Sequence, residues 1–394
     1  MAIGSDKNKK RILELDIVKG FGIILIAVYH IVYRSMDGIA DNVLRSLGWG
    51  FIGIYFLLSG YTCRKGSGVF ESYKRRIMGL LLPVFLAEIL LLAFGGLYFV
   101  LFHGYSARDI LHDAAVTFLR PEITTHISSR WGEGGLLFFN LSPVWFIWSM
   151  LWTELFFHPL RKLLVGKGEL KWALMLVLIL GIQVPMYLFL DPAPWELTIV
   201  PTFLIFMMFG AKLREWDAVN RLKKVKPLPA FGITVACLAA HFGLFFLNGN
   251  ESYYVSIFGN HGAWDVFTVQ LQLLLIFPAM FFLARAITKV GILAKGLGWM
   301  GRHTMYLLIL HCIVTLVYSD ILNIPCKLGD YWYLEPLGIE VSFEIVGKSL
   351  LACVLGLLTC VPIIMLWEVL EKLLFGRRFR KPDAEKAEQE KQNT

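Results

Sequence analysis

The sequence predicts an all-α fold: a polytopic transmembrane helix bundle of about ten helices, with the N- and C-termini both cytoplasmic. Three observations support this. The 394 residues are 57% hydrophobic and only 17% charged, against roughly 45–50% and about 25% in an ordinary soluble domain. The apolar residues gather in long runs that raise the mean hydropathy to +0.62, a surplus that calls for lipid as the solvent. Lys and Arg fall in short bursts between those runs.

Crossing a hydrocarbon core of about 30 Å takes roughly 20 apolar residues as helix. Irregular backbone at that depth would leave hydrogen-bonding groups unsatisfied. Spans are therefore expected near 14–33, 47–62, 77–102, 143–160, 172–190, 197–211, 228–248, 264–286, 303–321 and 345–374. The first, in KNKKRILELDIVKGFGIILIAVYH, begins like a secretion signal. However, Asp16 and Lys19 interrupt it and no small-x-small cleavage site follows, so it reads as an uncleaved helix. The second and sixth spans are short. The fourth begins SPVWFIWSMLWTELFFHPL, with Trp145, Trp148 and Trp152 as interfacial anchors and Glu154 inside. The seventh carries His241 without polar company in its run, which reads as structural. The ninth, WMGRHTMYLLILHCIV, buries His311 about two turns in. Residues 1–12 form a cytoplasmic segment, 13–375 the membrane domain, and 376–394 a polar tail expected to be disordered.

With the N-terminus inside, thirty of the 38 Lys and Arg fall in inner segments and six in outer loops. Such a bias sets orientation, and an even number of spans returns the C-terminus to the cytoplasm. The net charge of +8 is thus spread over loop ends rather than gathered in a patch, which excludes a nucleic-acid partner. Six cysteines stand mostly isolated in apolar runs, so neither a disulfide framework nor a metal is expected. No internal repeat supports the inverted-repeat plan of many transporters.

Ionisable side chains within a span cost about 2.5–3.5 kcal/mol each on insertion scales. The first helix carries Asp16, Lys19 and His30. Eleven residues at 100° each turn through about 1100°, so Lys19 and His30 share a face, roughly 16 Å apart along the axis. Asp16 lies one turn below Lys19 on that stripe. Read blandly, Asp16 and Lys19 form an interfacial ion pair and His30 is a packed core residue. Ser59 and Gly60 permit close helix contact, and Arg75 and Arg76 anchor topology. Read functionally, buried histidines either relay protons in a transporter or flippase, or activate a nucleophile in a reaction run across the membrane. Composition alone does not choose.

Order and spacing narrow the choice. DIVKGFGIILIAVYH, from Asp16 to His30, is similar to the acyltransferase-3 signature of a basic residue, ten residues and a histidine, with Lys19 where many members have Arg. YFLLSGY, YKRRIMGLLLP, SPVWFIWSMLWTELFF and the segment from Gly301 to His311 resemble later motifs of that family, in the right order. Leu308 stands where members often have Tyr. The resemblance implies a plasma-membrane acyltransferase. It would move an acyl group, acetyl first, from cytoplasmic acetyl-CoA to a hydroxyl of an extracytoplasmic glycan or related acceptor. It also suggests site roles. His30 would be the general base, with His311 as a second imidazole. Lys19, steadied by Asp16, would guide or polarise the thioester. Arg75 and Arg76 would meet the coenzyme's phosphates, and Ser59 and Glu154 would line the cavity.

Overall fold

A computed structural model of the chain describes residues 11–35, 39–63, 68–119, 144–164, 166–190, 194–247, 264–324 and 343–375. The two terminal segments and much of the long loops, with His126 and Cys326, lie outside the described residues. All regular structure among the described residues is helical: α1 Leu13–Ser35, α2 Ile39–Thr62, α3 Val69–Arg76, α4 Leu82–Phe102, α5 Ala107–Leu119, α6 Val144–Leu164, α7 Glu169–Leu190, α8 Val200–Glu215, α9 Ala218–Lys223, α10 Pro227–Leu247, α11 Trp264–Ile287, α12 Gly291–Arg302, α13 Thr304–Ile321 and α14 Phe343–Phe375. Helices lie over every expected span. Six of them have segments long and apolar enough to cross a membrane: Glu169–Met186, Leu197–Glu215, Pro227–Leu247, Gln270–Ile287, Thr304–Ile321 and Glu344–Leu370.

One expected boundary moves, and one span opens with an irregular turn. Helix α2 starts at Ile39 rather than near 47, because the polar letters of IADNVLRS disguise two more helical turns. The third span opens as a π turn, Ile77–Leu81, in which the Leu82 N–H reaches back to Ile77 O. Pro83, in the first turn of α4, has no N–H to give, and a widened turn accommodates that loss.

Helices α1 and α8 form the middle of the bundle. Helix α8 is buried along almost its whole length and crosses α2 at two glycines. A Cβ on Gly60 would strike the Met207 carbonyl, and one on Gly210 the Leu57 carbonyl. Helix α1 packs against α2, α11, α12, α13 and α14. Its crossing with α12 is as close: Gly20 faces the Leu297 carbonyl and Gly301 faces the Asp16 carbonyl. Small residues let two helix backbones approach where lipid supplies no hydrophobic driving force.

The basic helix ends meet one another. Lys223 Nζ lies 2.8 Å from Glu14 Oε2, and Lys212 Nζ lies 2.9 Å from Glu169 Oε1. Arg214 donates to the Tyr61 and Cys63 carbonyls at the end of α2, and Arg285 to the Leu222 and Val225 carbonyls at the end of α9. Cations over unsatisfied C-terminal carbonyls complement the helix dipole. The segments that charge counting assigns to a single side are thus joined in space.

Candidate active site

Asp16 is buried at 4% exposure and holds two cations. Arg11 reaches it through Nε to Oδ2 at 2.5 Å and Nη2 to Oδ1 at 3.2 Å, and Lys19 Nζ lies 3.1 Å from the same Oδ1. The Tyr55 hydroxyl donates to the Lys19 carbonyl at 3.0 Å, which ties α2 to α1 at that level. Further along α1, the His30 ring faces the His311 ring of α13, with centroids 5.2 Å apart. Two histidines separated by most of the chain are thus brought side by side.

The hydrogen bonds of His311 decide its tautomer. Nδ1 lies 3.1 Å from Leu307 O and 2.7 Å from Leu308 O. A carbonyl oxygen can only accept, so Nδ1 carries the proton and Nε2 carries the lone pair. In the neutral ring that second nitrogen is the acceptor. Next to it stands Cys312, whose Sγ is 3.3 Å from that Nε2. His30, His311 and Cys312 offer heteroatoms all within 4.8 Å of one another. Among the described residues, this is the group compact enough to share a metal ion.

A second buried cluster joins α2, α3 and α6. Ser59 Oγ donates to Glu154 Oε1 at 2.9 Å, and Arg76 meets both, through Nη2 to Ser59 Oγ at 2.8 Å and Nε to Glu154 Oε1 at 3.2 Å. His158 Nε2 lies 2.8 Å from the other carboxylate oxygen. Beyond it, His158 Nδ1 is 3.8 Å from Cys63 Sγ, and Arg161 donates to that sulfur at 3.3 Å. The local fold explains how α3 reaches this cluster. Pro159 sits inside α6 and has no N–H for the carbonyl four residues back, that of Leu155. The Tyr73 hydroxyl of α3 donates to that carbonyl at 2.5 Å. Burial, then the Glu154 carboxylate, push the Tyr73 phenol above its ordinary pKa, which keeps it a donor.

A family model described as an acyltransferase domain matches residues 12–367. The chain belongs to the acyltransferase-3 family. No curated protein matches it. A match of that extent settles the choice that buried histidines left open: the protein is a membrane acyltransferase rather than a proton-coupled carrier.

Within this acyltransferase the sequence-derived site residues separate into groups. Asp16 and Lys19 are an ion pair, and His30 and His311 are ring neighbours. Ser59, Arg76 and Glu154 form one network. Arg75 parts from Arg76: it pairs with Glu71 at 2.5 Å on the exposed side of α3. His241 does have polar company, since Nε2 lies 2.9 Å from Ser46 Oγ and Nδ1 3.0 Å from Gln272 O. It is a fully buried, satisfied core histidine. Sequence reasoning missed His158, Cys63, Arg161 and Arg11. Only His158 left a signal, four residues after Glu154 and so on the same helix face.

Proposed function

We propose that the protein transfers an acyl group, acetyl first, from acetyl-CoA at the basic end of the bundle to a hydroxyl of a cell-surface glycan or related acceptor reached from the other end. About ten helices of the plasma-membrane-embedded bundle cross the bilayer, and both termini face the cytoplasm. The observation that supports this reading best is the His30–His311 ring pair, because it joins the first and the late family motifs around one basic nitrogen. His30 takes the acceptor hydroxyl's proton as its oxygen attacks the thioester carbonyl. His311, its tautomer held by the α13 backbone, presents Nε2 to the same centre. Lys19, steadied by Asp16, meets the donor's thioester end. Arg75 meets its phosphates, since an exposed pair such as Arg75–Glu71 is worth at most about 1 kcal/mol and exchanges readily for phosphate. Arg76, already committed to Ser59 and Glu154, positions that network and adds positive charge beside the donor's path.

His30→Ala tests this. Loss of a general base costs roughly 10²–10⁴ in rate, so acyl transfer should fall by that order. Acetyl-CoA affinity measured by calorimetry, and melting temperature, should stay near those of the parent protein. A His30→Ala protein that folds and turns over at the parent rate would sink the mechanism. Unchanged glycan O-acetylation in cells lacking the gene would sink the acceptor class.

A further inference from the structure

Cys312 has no part in the mechanism above, yet its surroundings are those of a nucleophile. It is buried at 4% exposure, with Sγ 3.3 Å from His311 Nε2. With Nδ1 donating to the Leu307 and Leu308 carbonyls, the neutral ring accepts through Nε2 in the contact with sulfur, and the thiol donates. A nucleophile bonded to a base, with that base oriented by a third group, is the general arrangement of covalent catalysis. His30 completes it: its ring lies 5.2 Å from that of His311, and heteroatoms of all three residues lie within 4.8 Å of one another. One imidazole is therefore placed for the thiol and a second for another proton.

We propose that Cys312 is a covalent acyl carrier, acylated by acyl-CoA and deacylated by the acceptor hydroxyl. The proposal rests on the acyl-CoA reading given above. In the first half, His311 Nε2 takes the thiol proton as Sγ attacks the thioester carbonyl. The carbon–sulfur bond to coenzyme A breaks, and the proton passes to the departing coenzyme A thiolate. One thioester replaces another, so no oxidant, reductant or further reactant is needed. In the second half, His30 takes the acceptor's proton as its oxygen attacks the Cys312 thioester. The Cys312 thiolate leaves and recovers a proton through the two imidazoles. The net change is acyl-CoA plus alcohol to ester plus free coenzyme A. A carrier suits substrates that arrive from opposite faces of a membrane, since the two need not be bound at once.

The test needs no acceptor. Purified full-length protein is incubated with acetyl-CoA, quenched in acid and mapped by peptide mass. One acetyl group should appear on Cys312 and be removed by neutral hydroxylamine. Isotopically labelled coenzyme A should also exchange into the acetyl-CoA pool. Cys312→Ser and Cys312→Ala should lose exchange and transfer by at least about 10²-fold, while Cys360→Ala, altering another buried thiol, keeps both. A Cys312 variant that transfers near the parent rate overturns the carrier, as does acetyl found on a histidine or on no residue of parent protein quenched during turnover. That mass measurement decides the matter even if the variants fail to fold. Full transfer without a thioester overturns the carrier alone. A protein that neither binds acetyl-CoA nor acylates any acceptor overturns the acyl-CoA reading and the carrier together.

Discussion

Glu154 shows how the membrane domain handles a buried charge. Its carboxylate is 4% exposed and faces Arg76 at 3.2 Å on one oxygen and His158 at 2.8 Å on the other, with Ser59 also donating. Removing one partner of a buried pair typically costs about 3–5 kcal/mol. Arg76 keeps 28% exposure, and water there trims the penalty, so Glu154→Gln should destabilise the protein by roughly 1–3 kcal/mol. A double-mutant cycle with Arg76→Gln should give a coupling of at least about 0.5 kcal/mol, read from unfolding in mixed micelles. Strict additivity would show that the two side chains act independently. The need for a partner was legible at Glu154, a lone acid inside an apolar run, whereas the sequence reading turns Arg76 toward the donor's phosphates. Cys63 and Arg161 were not legible, because only the α2–α6 crossing brings a sulfur and a guanidinium together. The expected pairing of Arg75 with Arg76 does not hold in the fold: adjacent arginines on a helix point about 100° apart, so Arg76 turns inward to Glu154 while Arg75 meets Glu71 on the exposed side.

At the scale of helices, periodicity of apolar residues locates elements, but it does not report how closely they cross. The GLGWMG segment of α12 looks like a weak helix former, yet Gly301 and the Leu297 carbonyl seat α1 backbone to backbone. Gly301 lies on the Asp16 carbonyl, directly below the side chain that holds Lys19, so this contact sets where the α1 stripe begins. Gly301→Ala should force the helices apart and cost about 1–3 kcal/mol as an overpacked site. Melting temperature and acyl transfer should fall together. Gly168→Ala, with open space around the added methyl group, should leave both unchanged. The short helices were illegible for a related reason: α3, α5, α9 and α12 are too short or too polar for a spanning ruler. Docking such as that of Tyr73 on the carbonyl freed by Pro159 depends on tertiary geometry that no local pattern records. Tyr73→Phe should leave that carbonyl short of a donor and lower stability by about 1 kcal/mol, measured as a drop in melting temperature. No change would mean that water or another group replaces the phenol.

Across the whole molecule, charge placement and geometry meet. Counting Lys and Arg along the sequence assigned particular loops to one side. In the fold those loops belong to helix ends that touch, through Lys223 and Glu14, Lys212 and Glu169, and the Arg214 and Arg285 contacts with carbonyls. Contact makes the segments neighbours, and on the topology proposed above the positive-inside bias would turn that shared end toward the cytoplasm. The orientation is testable by labelling with a membrane-impermeant thiol reagent. Native Cys63 is a poor reporter, because it is buried against His158 and Arg161 and would resist the reagent on either side. Exposed positions serve better: Lys167, between α6 and α7, at the basic end, and Arg108, at the start of α5, at the opposite end. In a protein with Cys326 replaced by serine, Arg108→Cys should be labelled on intact cells. Lys167→Cys should be labelled only after the membrane is opened. The reverse pattern would put the basic end outside the cell, away from cytoplasmic coenzyme A. The donor would then have no route to Lys19 and Arg75, and transfer from acetyl-CoA to an external glycan would fail, however well the two histidines are paired.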